Sequence, residues 1–213
     1  DACMGCKKIE DSGGRSKRIR DSIWKDDWAS ITAEDGTIKP NLRSIELRLG
    51  NHCNLRCRSC NAESSTKWIK EYDLLKDKLP LASNYDNIRA EDRYSFDWVD
   101  SDDFYQDILE HTGDLRELHI SGGEPFLIPR HFKFLQGLLD KGKTDINIGY
   151  HTNLNYDLDK IKPGLEILNK FNGVRFNLSL DDVDQRNAYI RNPANWELSI
   201  KNIRLFQERY PNI

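Results

Sequence analysis

The sequence lacks most of what would place it in several large classes. No apolar run approaches the roughly 18 residues that a membrane span needs, and mean hydropathy is −0.73. The N-terminus shows no charged-then-apolar pattern of a secretory signal. Positive charge is not in excess: 32 Lys and Arg face 35 Asp and Glu, for a net charge of −3. A nucleic-acid footprint would need a clustered surplus of Lys and Arg, so no nucleic-acid partner is expected. Cysteine is scarce and odd in number, at five copies, which without a secretion signal is poor material for a disulfide framework. Methionine is nearly absent, with Met4 the single copy. The chain opens on Asp1 and stops just after a helical pattern, which reads as a fragment cut at both ends. Aromatic residues are not lacking, and five Trp, eight Tyr and eight Phe argue against disorder. The expectation is a soluble, cytoplasmic, globular chain whose 213 residues suffice for one core and a small appendage.

The cysteines that are present fall into two tight groups. Cys3 and Cys6 form a C-x2-C pair, and Cys53, Cys57 and Cys60 form a C-x3-C-x2-C run. Thiolates converging from one short loop suit a soft metal or an iron–sulfur cluster. Buried cysteines acting as small hydrophobes are the alternative. The polar neighbours Asn51, His52, Asn54, Arg56 and Arg58 speak against it.

Four runs alternate apolar and polar residues with the period of a strand: Ile45–Leu49, Leu115–Ile120, Ile146–Tyr150 and Val174–Leu180. Between and after them lie helical patterns at Asp103–Glu110, His131–Asp140, Leu158–Phe171 and Trp196–Tyr210, with another at Ser64–Leu75. Strand–helix repetition predicts right-handed crossovers and a parallel sheet. One face of each strand is polar, through Glu46, Arg48, His119, Ser121, Asn147, Arg175, Asn177, Ser179 and Asp181. A sheet covered on both faces reads as unbroken apolar runs. The polar face predicts instead an α/β fold of partial TIM-like barrel type around a wet lumen, with Glu46, His119 and Arg175 as lumen candidates. Four strands precede the end of the chain, so the barrel is expected to be truncated after the fourth, leaving Val174–Leu180 as an exposed edge. The domain expectation is an N-terminal extension at 1–43 and a core at 44–213.

Two motifs follow strands directly. The cysteine run follows the first, and Ser121-Gly122-Gly123-Glu124-Pro125 follows the second. In parallel α/β folds sites collect at the C-terminal ends of strands. Paired glycines allow positive φ and close approach to a ligand, while Glu124 offers an acceptor for a ligand ammonium and Pro125 stiffens the exit.

With these residues the sequence resembles the radical S-adenosylmethionine (SAM) enzymes, and among them those with a twitch- or SPASM-type C-terminal domain. The resemblance rests on Cys53, Cys57 and Cys60, on Gly122–Pro125, on Tyr150–Asn153, on Ser179–Asp181, and on the leader-like segments Cys3–Cys6 and Ser16–Arg18. It implies that three thiolates hold a [4Fe-4S] cluster whose fourth iron is left for SAM. It implies that Gly122, Gly123, Glu124 and Pro125 receive the SAM amino group, and that Asn153, Ser179, Asp181 and Arg191 face its ribose or carboxylate. It further implies a deoxyadenosyl radical that abstracts hydrogen from a peptide, protein or small molecule, with a one-electron reductant such as flavodoxin or ferredoxin as partner. Ser59 departs from the family, which often has an aromatic just before the third cysteine. Cys3 and Cys6 are expected to serve a second metal site, or none, rather than the SAM cluster. The competing readings are a non-catalytic iron–sulfur scaffold and a zinc module built from Cys3, Cys6, Cys57 and Cys60.

Overall fold

The computed structural model describes residues 4–21, 32–38, 42–75, 78, 97–210 and 213. The chain divides into two compact units, 1–40 and 41–213. In the first, helix α1 (Met4–Asp11) is followed by the short α2 (Lys17–Asp21). The buried Ser16 hydroxyl and Arg18 both donate to Glu10, which ties the two together. Cys6 lies half-buried on α1, while Cys3 falls outside the described residues.

The second unit is built on four parallel strands, β1 (Ser44–Arg48), β3 (Glu117–Ser121), β4 (Asn147–Thr152) and β5 (Gly173–Leu178), paired in that order. The register aligns Leu47 with Ile120, Ile120 with Tyr150 and Tyr150 with Phe176. Each new strand is added on the same side of its predecessor, so the order never reverses as it does in a doubly wound sheet. That is the topology of a barrel wall.

The alternation decides which face is buried. Ile45, Leu47, Leu118, Ile120, Ile148, Tyr150 and Val174 form one core with side chains of α4 (Asp102–Glu110), α5 (His131–Asp140), α6 (Lys162–Leu168) and α8 (Trp196–Arg209). The stacked and edge-on rings of Phe126, Tyr150, Phe176 and Phe206 run through it. Glu46, Arg48, Asn147, Arg175 and Asn177 stay exposed on the opposite face, as the polar alternation predicts. Among the described residues, β5 pairs only with β4, and no helix is long and apolar enough to cross a membrane.

Three features depart from the sequence reading. The helix expected over 158–171 is a 3-10 turn at Leu158–Ile161 followed by α6, which Pro163 restarts near its N-terminus. Likewise, the 64–75 segment is a 3-10 turn at Thr66–Trp68 capped by Ser65, then α3 (Ile69–Leu75). A two-residue ribbon, β2 (Arg56–Cys57) against β6 (Arg191–Asn192), and the helix α7 (Asp184–Ile190) were not foreseen.

Candidate metal centre

All three cysteines of the 53–60 run stand at the C-terminal end of the sheet, in the loop that follows β1. Cys53, Leu55, Cys57 and Ala194 form a small apolar cluster of their own, with Cys60 packed against it. Ser65 holds this loop by donating to the Leu55 carbonyl at 2.5 Å, Asn51 by donating to Ala62 O at 3.0 Å, and Trp68 by donating to Cys57 O at 3.0 Å. The three cysteines thus share one wall because the loop is stapled around them.

Cys53, Cys57 and Cys60 line a cavity of about 200 Å³ together with Ser59, Gly122, Gly123, Glu124, His151, Thr152, Asn153, Ser179 and Arg191. That is smaller than the roughly 300–1,000 Å³ of an organic-ligand cavity. Burial raises the Cys53 thiol. The neighbouring thiols pull apart, with Cys60 and burial raising Cys57 while Cys57 lowers Cys60, and the Arg191 charge favours the thiolate at both. Among the described residues no group of three His, Cys, Asp or Glu gathers tightly enough for a single ion. A cluster asks for something different, since each thiolate binds its own iron. Three sulfurs on one concave wall fit a [4Fe-4S] group by donor type and placement.

The structure shows what each of the expected site residues is bonded to within the chain. Gly122 takes φ +139°, and backbone of the 49–52 segment fills the space that side chains at Gly122 and Gly123 would need. A Cβ on Gly123 would lie 2.2 Å from the His52 carbonyl, and one on Gly122 2.9 Å from that of Gly50. Gly123 N donates to Gly50 O at 2.7 Å and Glu124 N to His52 O at 2.8 Å, so the two loops are laced together. Glu124 is buried and already occupied: it accepts from Thr152 Oγ1 and from Asn153 N, each at 2.8 Å. Burial raises its carboxyl to about 7. Pro125 starts a 3-10 turn and is buried away from the cavity wall.

Asn153 lines the cavity with its amide already engaged within the chain. It donates to Asn54 Oδ1 at 2.9 Å and to Cys53 Sγ at 3.9 Å, and it accepts from Asn155 N at 2.8 Å. Asp181 is off the cavity wall and bound to Arg191, whose guanidinium also reaches Cys57. Ser179 lies on the wall, half-buried, with its backbone N–H donating to Thr152 O at 2.8 Å.

The polar face holds a pair that sequence reasoning saw only by halves. His119 Nε2 lies 2.9 Å from His151 Nδ1. The His119 ring occupies the space above Gly149, where a Cβ would come within 2.9 Å of Nδ1. His151 lines the cysteine cavity, while His119 lines a second one of about 490 Å³ with Asn147, Arg175 and Asn177. Burial and the neighbouring His151 lower the His119 pKa, against the pull of Glu46. Parity along the strands put both histidines on this face, but only the tertiary register brought them into contact.

No curated protein and no solved structure matches the chain. A family model described as the Radical SAM superfamily matches residues 47–213, well over half of the sequence and the whole of the sheet beyond the first residues of β1. The chain belongs to the radical SAM superfamily.

Proposed function

We propose that Cys53, Cys57 and Cys60 each hold one iron of a [4Fe-4S] cluster, and that the protein is an enzyme cleaving SAM at its open iron. Membership of the superfamily supports SAM-dependent radical chemistry in general. The finer reading rests above all on the single cavity that carries three thiols, the glycine loop and Ser179. When bound, cluster and SAM together supply a deoxyadenosyl radical that takes hydrogen from a substrate.

The chain's own residues position and shelter. Gly122 and Gly123 bring the backbone of the 121–124 segment against the cysteine loop, so the two walls of the cavity are fixed to each other. Glu124 clamps the glycine loop to the end of β4. Ser179, on the same wall, is placed to meet the ribose or carboxylate of SAM. The polar lumen beyond His151 is where a peptide, protein or small-molecule substrate would lie, and its Arg175 and Asn177 suit a polar one. A one-electron reductant, a cytoplasmic setting and a twitch-type relationship complete the proposal, with residues 1–43 as an extension and 44–213 as the core. The zinc alternative is not favoured, because it leaves Cys53 and the glycine loop without a role.

The test is anaerobic reconstitution with iron and sulfide. Wild-type protein is expected to turn brown, and its reduced-state EPR signal to change on adding SAM. Cys53→Ala, Cys57→Ala and Cys60→Ala should each abolish the chromophore. A Cys57→Ala protein with undiminished iron and signal would refute the assignment, and a colourless, zinc-loaded wild type would favour the rival.

A further inference from the structure

The ribbon of β2 and β6 sets Arg191 directly opposite Cys57. Arg191 Nη1 lies 3.7 Å from Cys57 Sγ. Its Nη2 donates to Asp181 Oδ1 at 3.0 Å, and its Nε lies 2.8 Å from Oδ2 as an ion-pair contact without hydrogen-bond alignment. A guanidinium is planar and always charged, so a carboxylate gripping one edge also aims the rest of the fork. Here Asp181 holds Nη2 by a hydrogen bond, with its second oxygen near Nε, and leaves Nη1 on the sulfur. The Arg191 side chain is only 15% exposed, which limits solvent screening of its charge. Nearby anchors hold the ribbon: Arg58 N donates to Ile190 O at 2.8 Å, and the Arg58 guanidinium lies 3.8 Å from the Tyr189 ring centroid.

From this arrangement we infer that Arg191 is a positioning residue that holds the cluster's reduction potential up through Cys57, with Asp181 aiming it and partly offsetting its charge. The inference rests on the cluster reading above. Reduction adds one electron to the oxidised cluster, moves no proton and breaks no bond, so the cluster becomes more negative by one charge. A fixed cation donating to a ligating sulfur stabilises that reduced form, as hydrogen bonds to cluster sulfurs and local charge do in general. Asp181 carries the opposite sign but touches Arg191 rather than the sulfur. This role differs from the ribose or carboxylate contact that the resemblance implies for both residues.

Two charge-removing changes give opposite signs. The reconstituted 213-residue chain is titrated potentiometrically without SAM or substrate, and the reduced cluster is followed by EPR. Arg191→Gln is expected to lower the reduced-to-oxidised ratio at a fixed potential about tenfold, equal to ~59 mV for a one-electron couple. Asp181→Asn keeps an acceptor for Arg191 and removes a negative charge, so the ratio should rise. A merely structural pair would shift both variants the same way or not at all, and either result overturns the inference. Should Arg191→Gln fail to load iron, Arg191→Lys takes its place, since it keeps the charge but loses the fork. It should fall below wild type while Asp181→Asn stays above, and equal midpoints overturn the inference. A wild type that takes up no iron fails at the earlier step and removes both readings together, whereas a loaded cluster with unmoved potentials removes only this one.

Discussion

A Cβ added at Gly123 would lie 2.2 Å from a backbone carbonyl that cannot swing aside without moving Cys53. Overpacking of this kind costs about 1–3 kcal/mol. Gly123→Ala is therefore expected to lower cluster-free stability by that amount in urea unfolding, and to lower iron uptake on reconstitution. Iron at the wild-type level would show that the glycine clears space for a ligand alone. His131 makes a second prediction. It is fully buried, with Nδ1–H donating to Ile128 O at 2.6 Å and Nε2 accepting from the Tyr150 hydroxyl at 2.9 Å, and burial lowers its pKa to about 4. The unfolded chain therefore binds the extra proton first as pH falls. The stability in question is fully present above about 6.5 and is lost as pH falls toward 4, roughly 3 kcal/mol in all. Glu124 works in the opposite direction, since its raised pKa favours the folded state at low pH and weakens it between about 4.5 and 7. The comparison that isolates His131 is wild type against His131→Gln, where the Glu124 contribution cancels. The stability difference between them should shrink on acidification, and a constant difference would contradict the assignment.

The elements carry a different lesson, because their joints were harder to read than their interiors. The end of β4 is tied to α8 by amides: Asn202 donates to Leu154 O and to Tyr156 O, each at 2.8 Å, and Asn155 bonds Ser199 and Asn195. Asn202→Ala would strand two buried carbonyls, an expected cost of about 2–4 kcal/mol. A loss under 0.5 kcal/mol in urea unfolding would show that water replaces the amide. Periodicity alone made β1, β3, β4 and β5 legible, since Ile45–Leu49 and Val174–Leu180 alternate over enough residues to fix a face. The cysteine run and Gly122–Glu124 were legible as one site because both follow strands that pair side by side. What stayed hidden was long-range. Two residues at 56–57 and two at 191–192 contain no period, and nothing local in Arg191 says that it faces a sulfur. Nor can the sequence neighbourhood of Asn153 show that its amide meets Asn54, 99 residues away.

At the scale of the whole molecule, the described sheet has an open side at β5, which offers unpaired backbone along Gly173–Leu178. Leu178, 38% exposed, ends that edge. Edge strands of this kind invite pairing with another copy. The 213-residue chain is expected to self-associate with rising concentration in sedimentation velocity, and Leu178→Lys to reduce it. A concentration-independent monomer would count against this expectation. The ribbon that closes the site has a consequence in time as well as in space. Cys57 and Arg191 are 134 residues apart in sequence, and a ribosome adds roughly 5–20 residues per second. For about 7–27 s after Cys57 is made, its partner strand does not yet exist. During that interval the thiols hang from an unfinished chain, open to oxidants and stray metals, and cluster delivery belongs after the closing strand has emerged.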